Sequence, residues 1–166
     1  MYGVSFDLVG KQPIVLLKTV DGNRFLPIWI GHPEAAAILM KLQNASSPRP
    51  MTHDLVTDIL GQLDAQVTRV AVVELRENTF YAQVTIQQDG SEIEVDSRPS
   101  DAIALAVRTA APIFVADEVI DESGIEFEGD GEPANEEIEM KVSQFREQLD
   151  TLTPDDFASG LEDDED

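Results

Sequence analysis

Residues 97–108 read SRPSDAIALAVR, a turn that opens directly into a helix of small residues. Pro99 fixes its φ near the helical value and suits the first turn, and Asp101 is a carboxylate beside the positive end of the helix. Ser97 or Ser100 is expected to cap the free backbone N–H groups. Beyond this turn, alanine alternates with isoleucine, leucine and valine, so another element can approach closely. We predict that this helix is buried.

Three strands followed by a helix are predicted on each side of the proline-rich loop at residues 46–50. In the first half, hydrophobic runs and turn residues predict strands at about 1–9, 13–19 and 24–30 and a helix at 34–44. In the second half, strands at about 66–76 and 79–88 and a short strand with Ile93 and Val95 inward precede the helix. One further buried strand is predicted at 112–116.

An additional helix is predicted at about 52–63, between the two halves. Apolar residues recur on one of its faces, at Leu55, Val56, Ile59, Leu60 and Leu63. This spacing is typical of an amphipathic helix. Thr52 is expected to cap its start.

The two halves share a local pattern as well as an order of elements. Residues 31–39, GHPEAAAIL, match residues 97–105, SRPSDAIAL, as turn, proline, acid and alanine helix. Proline is common at helix starts, so internal duplication and coincidence both remain open. The predicted fold class is α+β, with a mostly antiparallel or mixed sheet, packed helices and a duplicated unit of three strands plus a helix.

Composition places the chain among ordinary globular proteins. Its 166 residues, 42% of them hydrophobic, can enclose one core with an appendage. The absence of cysteine excludes disulfides and thiolate metal sites and fits a reducing compartment. Nothing at the N-terminus resembles an export signal, and no apolar run approaches the roughly 20 residues of a membrane helix. We expect a cytoplasmic protein without membrane contact.

The net charge of −22 is distributed very unevenly. Residues 1–116 hold 13 acidic and 9 basic residues, net −4, whereas residues 117–166 hold 20 acidic and 2 basic residues, net −18. The acidity therefore belongs to the C-terminal part. No basic stripe exists that would support tight, sequence-independent binding of nucleic acid, because phosphate neutralisation dominates such affinity.

The C-terminal part is predicted to form three segments. Residues 126–134 have the composition of an acidic linker, residues 135–158 form an amphipathic helical segment, and residues 159–166 are a disordered acidic tail. Four apolar residues of the helical segment have helical spacing: Ile138, Val142, Phe145 and Leu149. The acidic tail is expected either to occupy a basic groove on a protein partner or to screen the protein's own site.

Three motifs, in this order and spacing, resemble the bifunctional nuclease domain family. They are LPIWIGHPEAAAI at 26–38, RPMTHDL at 49–55 and SRPSDAIALAVR at 97–108. The resemblance covers residues 1–125 and implies a compact α+β domain. The family's name reflects cleavage of both RNA and DNA by plant members. After residue 125 the chain departs from those plant proteins, because it has the acidic segments where they have an added C-terminal module.

Phosphodiester hydrolysis needs a group that activates water, stabilisation of the developing charge and, usually, a divalent metal held by carboxylates. His53 is the candidate base, and Asp54 is a candidate to orient it or to hold a metal. Asp101 and Glu34 occupy matching first-turn positions and are candidate catalytic groups or a metal pair for Mg²⁺ or Mn²⁺. The competing interpretation is that acids at helix starts only compensate the helix dipole.

Phosphate binding is assigned to the start of the helix at residues 97–108. An arginine beside free helix amides makes a phosphate seat, so Arg98, Ser97 and Ser100 are the candidate contacts. Arg108, in the last turn, is expected to serve the C-terminus of the same helix.

Two functions from different classes follow. The first is a low-specificity, metal-assisted nuclease that acts on RNA or DNA. The second is a non-enzymatic regulatory or assembly module that acts through protein–protein contacts. A homodimer is expected in addition, because the hydrophobic strands and small-residue helices exceed what one thin sheet covers.

Overall fold

The computed structural model describes residues 1, 3–7, 11–20, 24–45, 47–126, 140 and 142. The chain divides into two compact units, Met1–Glu128 and Gly129–Asp166. Of the predicted C-terminal segments, only Glu126, Met140 and Val142 are described, and the remainder lies outside the described residues. Among the described helices, none is long and apolar enough to cross a membrane.

Strands and helices up to residue 115 follow the predicted order, whereas the helix at Asp117–Ser123 and the strand at Ile125–Glu126 were not predicted. The strands are β1 (Gly3–Asp7), β2 (Gln12–Lys18), β3 (Arg24–Trp29), β4 (Ala65–Arg76), β5 (Thr79–Gln88), β6 (Ser91–Ser97), β7 (Ile113–Val115) and β8 (Ile125–Glu126). The helices are α1 (His32–Leu42), α2 (Thr52–Gln62), α3 (Pro99–Thr109) and α4 (Asp117–Ser123). The predicted α+β class is confirmed.

The strands form two four-stranded sheets, in the orders β1-β2-β3-β8 and β6-β5-β4-β7. Each sheet contains an antiparallel run of three consecutive strands that is followed by a helix, α1 in one case and α3 in the other. The fourth strand differs, since β8 joins antiparallel beside β3 while β7 joins parallel beside β4. The unit of three strands plus a helix therefore recurs, and the fourth strands break the correspondence.

Helix α3 lies in the middle of the core, as its small side chains predicted. Ile103 and Ala104 belong to the hydrophobic cluster formed with β2 and β3. Ala102, Leu105 and Ala106 belong to a second cluster formed with β4 and β5. Because alanine adds little bulk, α1 and α2 also approach α3 directly. The helix is thus packed against both sheets and both neighbouring helices.

Two predicted burial assignments were wrong. Ile93 and Val95 share a face with the buried Val84, yet both are exposed because β6 is the edge strand and α3 packs over β4 and β5. The strand predicted at 112–116 is only partly covered. Phe114 is exposed because β7 forms the other edge of the same sheet.

The predicted serine and threonine caps were also wrong. Helix α3 begins at Pro99 and its N-cap is Arg98, so Ser97 lies one residue too early and Ser100 is already inside the helix. The Ser97 hydroxyl donates instead to the carbonyl of Arg98 at 3.0 Å. In α2 the N-cap is Met51, and its backbone N–H donates to the Asp54 carboxylate at 2.9 Å.

Candidate active site

The first turns of α1, α2 and α3 come together at one place on the first unit. The third residue of each helix is an acid: Glu34 in α1, Asp54 in α2 and Asp101 in α3. A carboxylate at this position compensates the partial positive charge of the helix start. Side chains from the three first turns are joined by the hydrogen bonds described next, so the fold brings together residues that are up to 67 positions apart.

Four of the predicted site residues form one hydrogen-bonded series, here called the polar chain: His53, Asp101, Arg98 and Glu34. The Nε2–H of His53 donates to Oδ1 of Asp101 at 2.9 Å. Arg98 donates from Nε to the other Asp101 oxygen at 2.8 Å and from Nη1 to Oε1 of Glu34 at 3.1 Å. Asp101 is therefore the central member, with an imidazole on one oxygen and a guanidinium on the other.

Exposure increases along the polar chain from the histidine to the arginine. The His53 side chain is 13% exposed, whereas the Arg98 side chain is 66% exposed. Asp101 and Glu34 lie between these limits. The imidazole is consequently mostly buried, and the guanidinium is the member of the polar chain that a bulky anion reaches first.

The charge states of the polar chain follow from its hydrogen bonds. Burial raises the pKa of Asp101, but the hydrogen bonds from His53 and Arg98 outweigh it, so the pKa of this carboxyl is lowered overall. The hydrogen bond to Asp101 is the main cause that raises the pKa of Arg98. An ionised carboxylate only accepts, so in a neutral imidazole the hydrogen lies on Nε2 of His53 and the lone pair on Nδ1.

Gly31 leaves room for the Glu34 carboxylate because it has no side chain. A Cβ added at Gly31 would lie 2.2 Å from Oε2 of Glu34, so any side chain here displaces that carboxylate. Sequence reasoning treated Gly31 as a turn residue only. The signal it offered was the glycine three positions before an acid at a helix start.

Asp54 does not join the polar chain, although it follows His53 directly in the sequence. Its carboxylate accepts the Met51 backbone N–H and, at 2.6 Å, the Nε–H of Arg108. The pKa of Asp54 is lowered, chiefly by the Met51 hydrogen bond, against burial and with the help of Arg108. The carboxylate that contacts the imidazole is Asp101, which is 48 residues away.

Arg108 is the residue that sequence reasoning missed. It was expected to serve the C-terminus of α3, and its Nη1 does donate to the Ala104 carbonyl at 2.9 Å. The side chain is only 5% exposed, however, and it also donates from Nη2 to the Ala37 carbonyl of α1 at 3.1 Å and from Nε to Asp54 of α2. We call this set of three contacts the Arg108 clamp. It joins three helices through one side chain.

The other residues predicted to contact phosphate or metal are buried or already hydrogen-bonded. Ser100 is buried, and the Ser97 hydroxyl is bonded to a backbone carbonyl. The Arg98 guanidinium bridges Glu34 and Asp101. Within the described residues, no three histidine, aspartate or glutamate side chains cluster as metal ligands. The two carboxylates predicted to hold a metal are each bonded to Arg98.

The fold and the polar chain define a class of α+β domain in which three helix starts bring a histidine–aspartate pair beside an exposed arginine. Residues 15–128 match the model of the bifunctional nuclease domain, and the chain belongs to this family. The resemblance expected from the three motifs is confirmed.

The relatives fall into two groups. An uncharacterized protein of Mycobacterium tuberculosis is 41% identical over 93% of this chain and 94% of its own length. Bifunctional nuclease 1 of Oryza sativa subsp. indica is 29% identical over 80% of this chain but only 40% of its own length. Bifunctional nuclease 1 of Arabidopsis thaliana is 30% identical over 63% of this chain and 33% of its own length. The chain thus corresponds to less than half of each plant protein.

Proposed function

We propose that this protein is a nuclease of low specificity that hydrolyses phosphodiester bonds in RNA and DNA. The observation that carries the proposal is the polar chain, which presents an oriented imidazole and an exposed arginine at three converging helix starts. Membership of the bifunctional nuclease domain family supports it. The plant relatives are named bifunctional nucleases, which points to the same class of reaction.

His53 is the proposed general base. DNA lacks the 2′-hydroxyl, so an enzyme that cleaves both nucleic acids cannot rely on that group, and the proposed nucleophile is water. With Nε2–H donated to Asp101, Nδ1 accepts a proton from water while the water oxygen bonds to phosphorus. The bond from phosphorus to the leaving oxygen breaks, its electron pair stays on that oxygen, and a proton is returned to it from the imidazolium or solvent. The products are a phosphomonoester and an alcohol.

Arg98 is the proposed phosphate contact. It is mostly exposed, and exposed ion pairs contribute only about 0–1 kcal/mol, so a phosphate oxygen can replace Glu34 on Nη1 at small cost. Its Nε–H remains on Asp101, which keeps the guanidinium in place. A planar guanidinium then faces the charge that develops on the phosphate. The net charge of −4 in residues 1–116 implies weak ground-state binding of the substrate.

Assistance by Mg²⁺ or Mn²⁺ remains a prediction. Glu34 and Asp101 are the two carboxylates of the polar chain, and both are bonded to Arg98. A cation would have to displace that guanidinium before it could contact both carboxylates. The proposed reaction therefore uses only side chains of this chain, and cleavage rates with and without Mg²⁺ or Mn²⁺ measure the dependence on metal.

A cleavage assay tests the proposal. Fluorescent single-stranded RNA and DNA are incubated with the wild-type chain, with Asp101→Asn and with the exposed control Asp96→Asn on β6, each with and without Mg²⁺ or Mn²⁺. We expect Asp101→Asn to lower the initial rate on both substrates by about 10²-fold or more, and Asp96→Asn to leave it unchanged. Equal rates for all three proteins would show that the polar chain is not the active site.

The second function, a regulatory or assembly module, is favoured by the outer face of α2. Leu55 and Ile59 of α2 and Leu63, the residue that follows this helix, are exposed. Contiguous exposed apolar patches mark protein contacts. The alanine body of α3 is covered by its own chain, so the predicted homodimer would use this face of α2 instead.

Analytical ultracentrifugation of the wild-type chain and of Ile59→Lys separates these possibilities. A wild-type dimer that Ile59→Lys dissociates would support the assembly function. If the wild-type chain is a monomer and cleaves nucleic acid, only the nuclease function is supported. The predicted roles of the acidic tail concern residues outside the described part of the chain. If the tail screens the site, deletion of residues 130–166 should raise nucleic-acid binding.

A further inference from the structure

Helix α2 carries the proposed base but is not held by hydrophobic burial. None of its residues is buried, and its apolar side chains Leu55, Val56 and Ile59 face solvent. Leu60 is only partly buried, against the hydrophobic cluster that α3 forms with β4 and β5. Burial of apolar area therefore does little to fix this helix, and its polar contacts decide where it lies.

The polar contacts of α2 are concentrated in its first turn. His53 donates to Asp101 and Asp54 accepts from Arg108, so both contacts lead to α3. At the other end, the Gln88 amide donates to the Leu63 carbonyl at 2.8 Å. The first turn is thus attached to the core through two adjacent side chains.

Arg108 is fixed independently of α2. Its Nη1–H and Nη2–H donate to the backbone carbonyls of Ala104 in α3 and Ala37 in α1, and both of these residues are buried. A planar guanidinium that is held by two of its nitrogens has little freedom in the third. The direction of Nε, and with it the position of Asp54, is consequently set by the core.

From this geometry we infer that Arg108 is a positioning residue for His53. It acts through Asp54, which is the next residue in the same helical turn, and it holds that turn where the imidazole reaches Asp101. This inference rests on the proposed function, because the position of the imidazole matters to the reaction only if His53 is the base. Nothing in the clamp touches the reacting atoms.

Lysine cannot replace arginine in this role. An ammonium group keeps the charge but lacks the rigid fork that contacts two carbonyls and a carboxylate together. Arg108→Lys should therefore loosen the first turn of α2 even if the domain stays folded. Asp54→Asn provides a second variant, because Asp54 is partly exposed and its loss leaves the two carbonyl contacts of Arg108 in place.

Proton NMR of the full chain is the first test. The chain has only two histidines, His32 and His53, so His32→Gln assigns the imidazole signals. We expect a slowly exchanging, downfield Nε2 proton of His53 in the wild type and its loss in Arg108→Lys and Asp54→Asn. Arg24→Gln, which removes the ion pair between Arg24 of β3 and Asp121 of α4, is the matched control and should keep the signal.

Cleavage kinetics are the second test. We expect Arg108→Lys and Asp54→Asn to lower kcat at least 10-fold while KM changes less than 2-fold, since the clamp does not contact substrate. If both variants keep the imidazole signal and the wild-type kcat, the inference is wrong. If the wild type does not cleave at all, the proposed function fails, but loss of the signal in both variants still establishes the positioning role.

Discussion

Helices α2 and α3 have the same length and lie side by side, yet they are held in place by different forces. Each has 11 residues, and each contributes a member of the polar chain from its first turn. Seven residues of α3 are buried, whereas none of α2 is. The site therefore combines a carboxylate on a scaffold that is fixed by packing with an imidazole on a helix that is held by hydrogen bonds.

The largest expected effect is on α3. Ala104 is fully buried between the sheets, so Ala104→Leu should overpack the core and lower the free energy of unfolding by about 1–3 kcal/mol. Ile59→Ala changes the side chain by the same number of carbon atoms, but on the exposed face of α2, and should change the free energy of unfolding by less than about 0.5 kcal/mol. Urea unfolding measures both. Equal costs would contradict the contrast between the two helices.

The next effect concerns acid stability. The pKa values of Asp54 and Asp101 are both lowered in the fold. Their contribution to stability is therefore complete above the usual aspartate pKa of about 3.9 and is lost as the pH falls through the lower, folded-state values. Urea midpoints of unfolding, measured between pH 2 and pH 7, should decrease in this acid range. The midpoint of Asp54→Asn should decrease less steeply. Identical pH curves would mean that the Asp54 contacts do not stabilise the fold.

A smaller effect is expected at the exposed end of the polar chain. Glu34 competes with phosphate for Arg98, so Glu34→Gln should lower KM about 2- to 5-fold and leave kcat unchanged, with a stability change below about 1 kcal/mol. Gly31→Ala, which displaces the same carboxylate, should behave in the same way. A large fall in kcat in both variants would instead assign Glu34 a catalytic role.

The sequence predicted the fold class and the residues of the polar chain, but not the hydrogen bonds between them. Matching first-turn positions placed Glu34 and Asp101 in one site, and the alanine body predicted the burial of α3. The partner of His53 could not be predicted, because the adjacent Asp54 is the obvious candidate. Only the fold shows that the Asp54 carboxylate is hydrogen-bonded to Met51 and Arg108 instead.

The orientation of α2 could not be predicted from the sequence, for a related reason. Hydrophobic periodicity shows which side chains share a face, but not whether that face meets the core. In α2 the polar side meets the core, because Arg108 and Asp101 bind Asp54 and His53 there. Arg108 itself was assigned to its own helix end, since its partners in α1 and α2 lie 71 and 54 positions away.

The most direct test of the central claim compares the two histidines of the chain. Purified His53→Ala and His32→Ala are assayed beside the wild type for cleavage of single-stranded RNA and DNA. If His53 is the base, His53→Ala should lose about 10²- to 10⁴-fold in kcat on both substrates, while His32→Ala, whose exposed ring contacts Phe6, keeps the wild-type rate. Wild-type activity in His53→Ala, or an equal loss in both variants, would contradict the account.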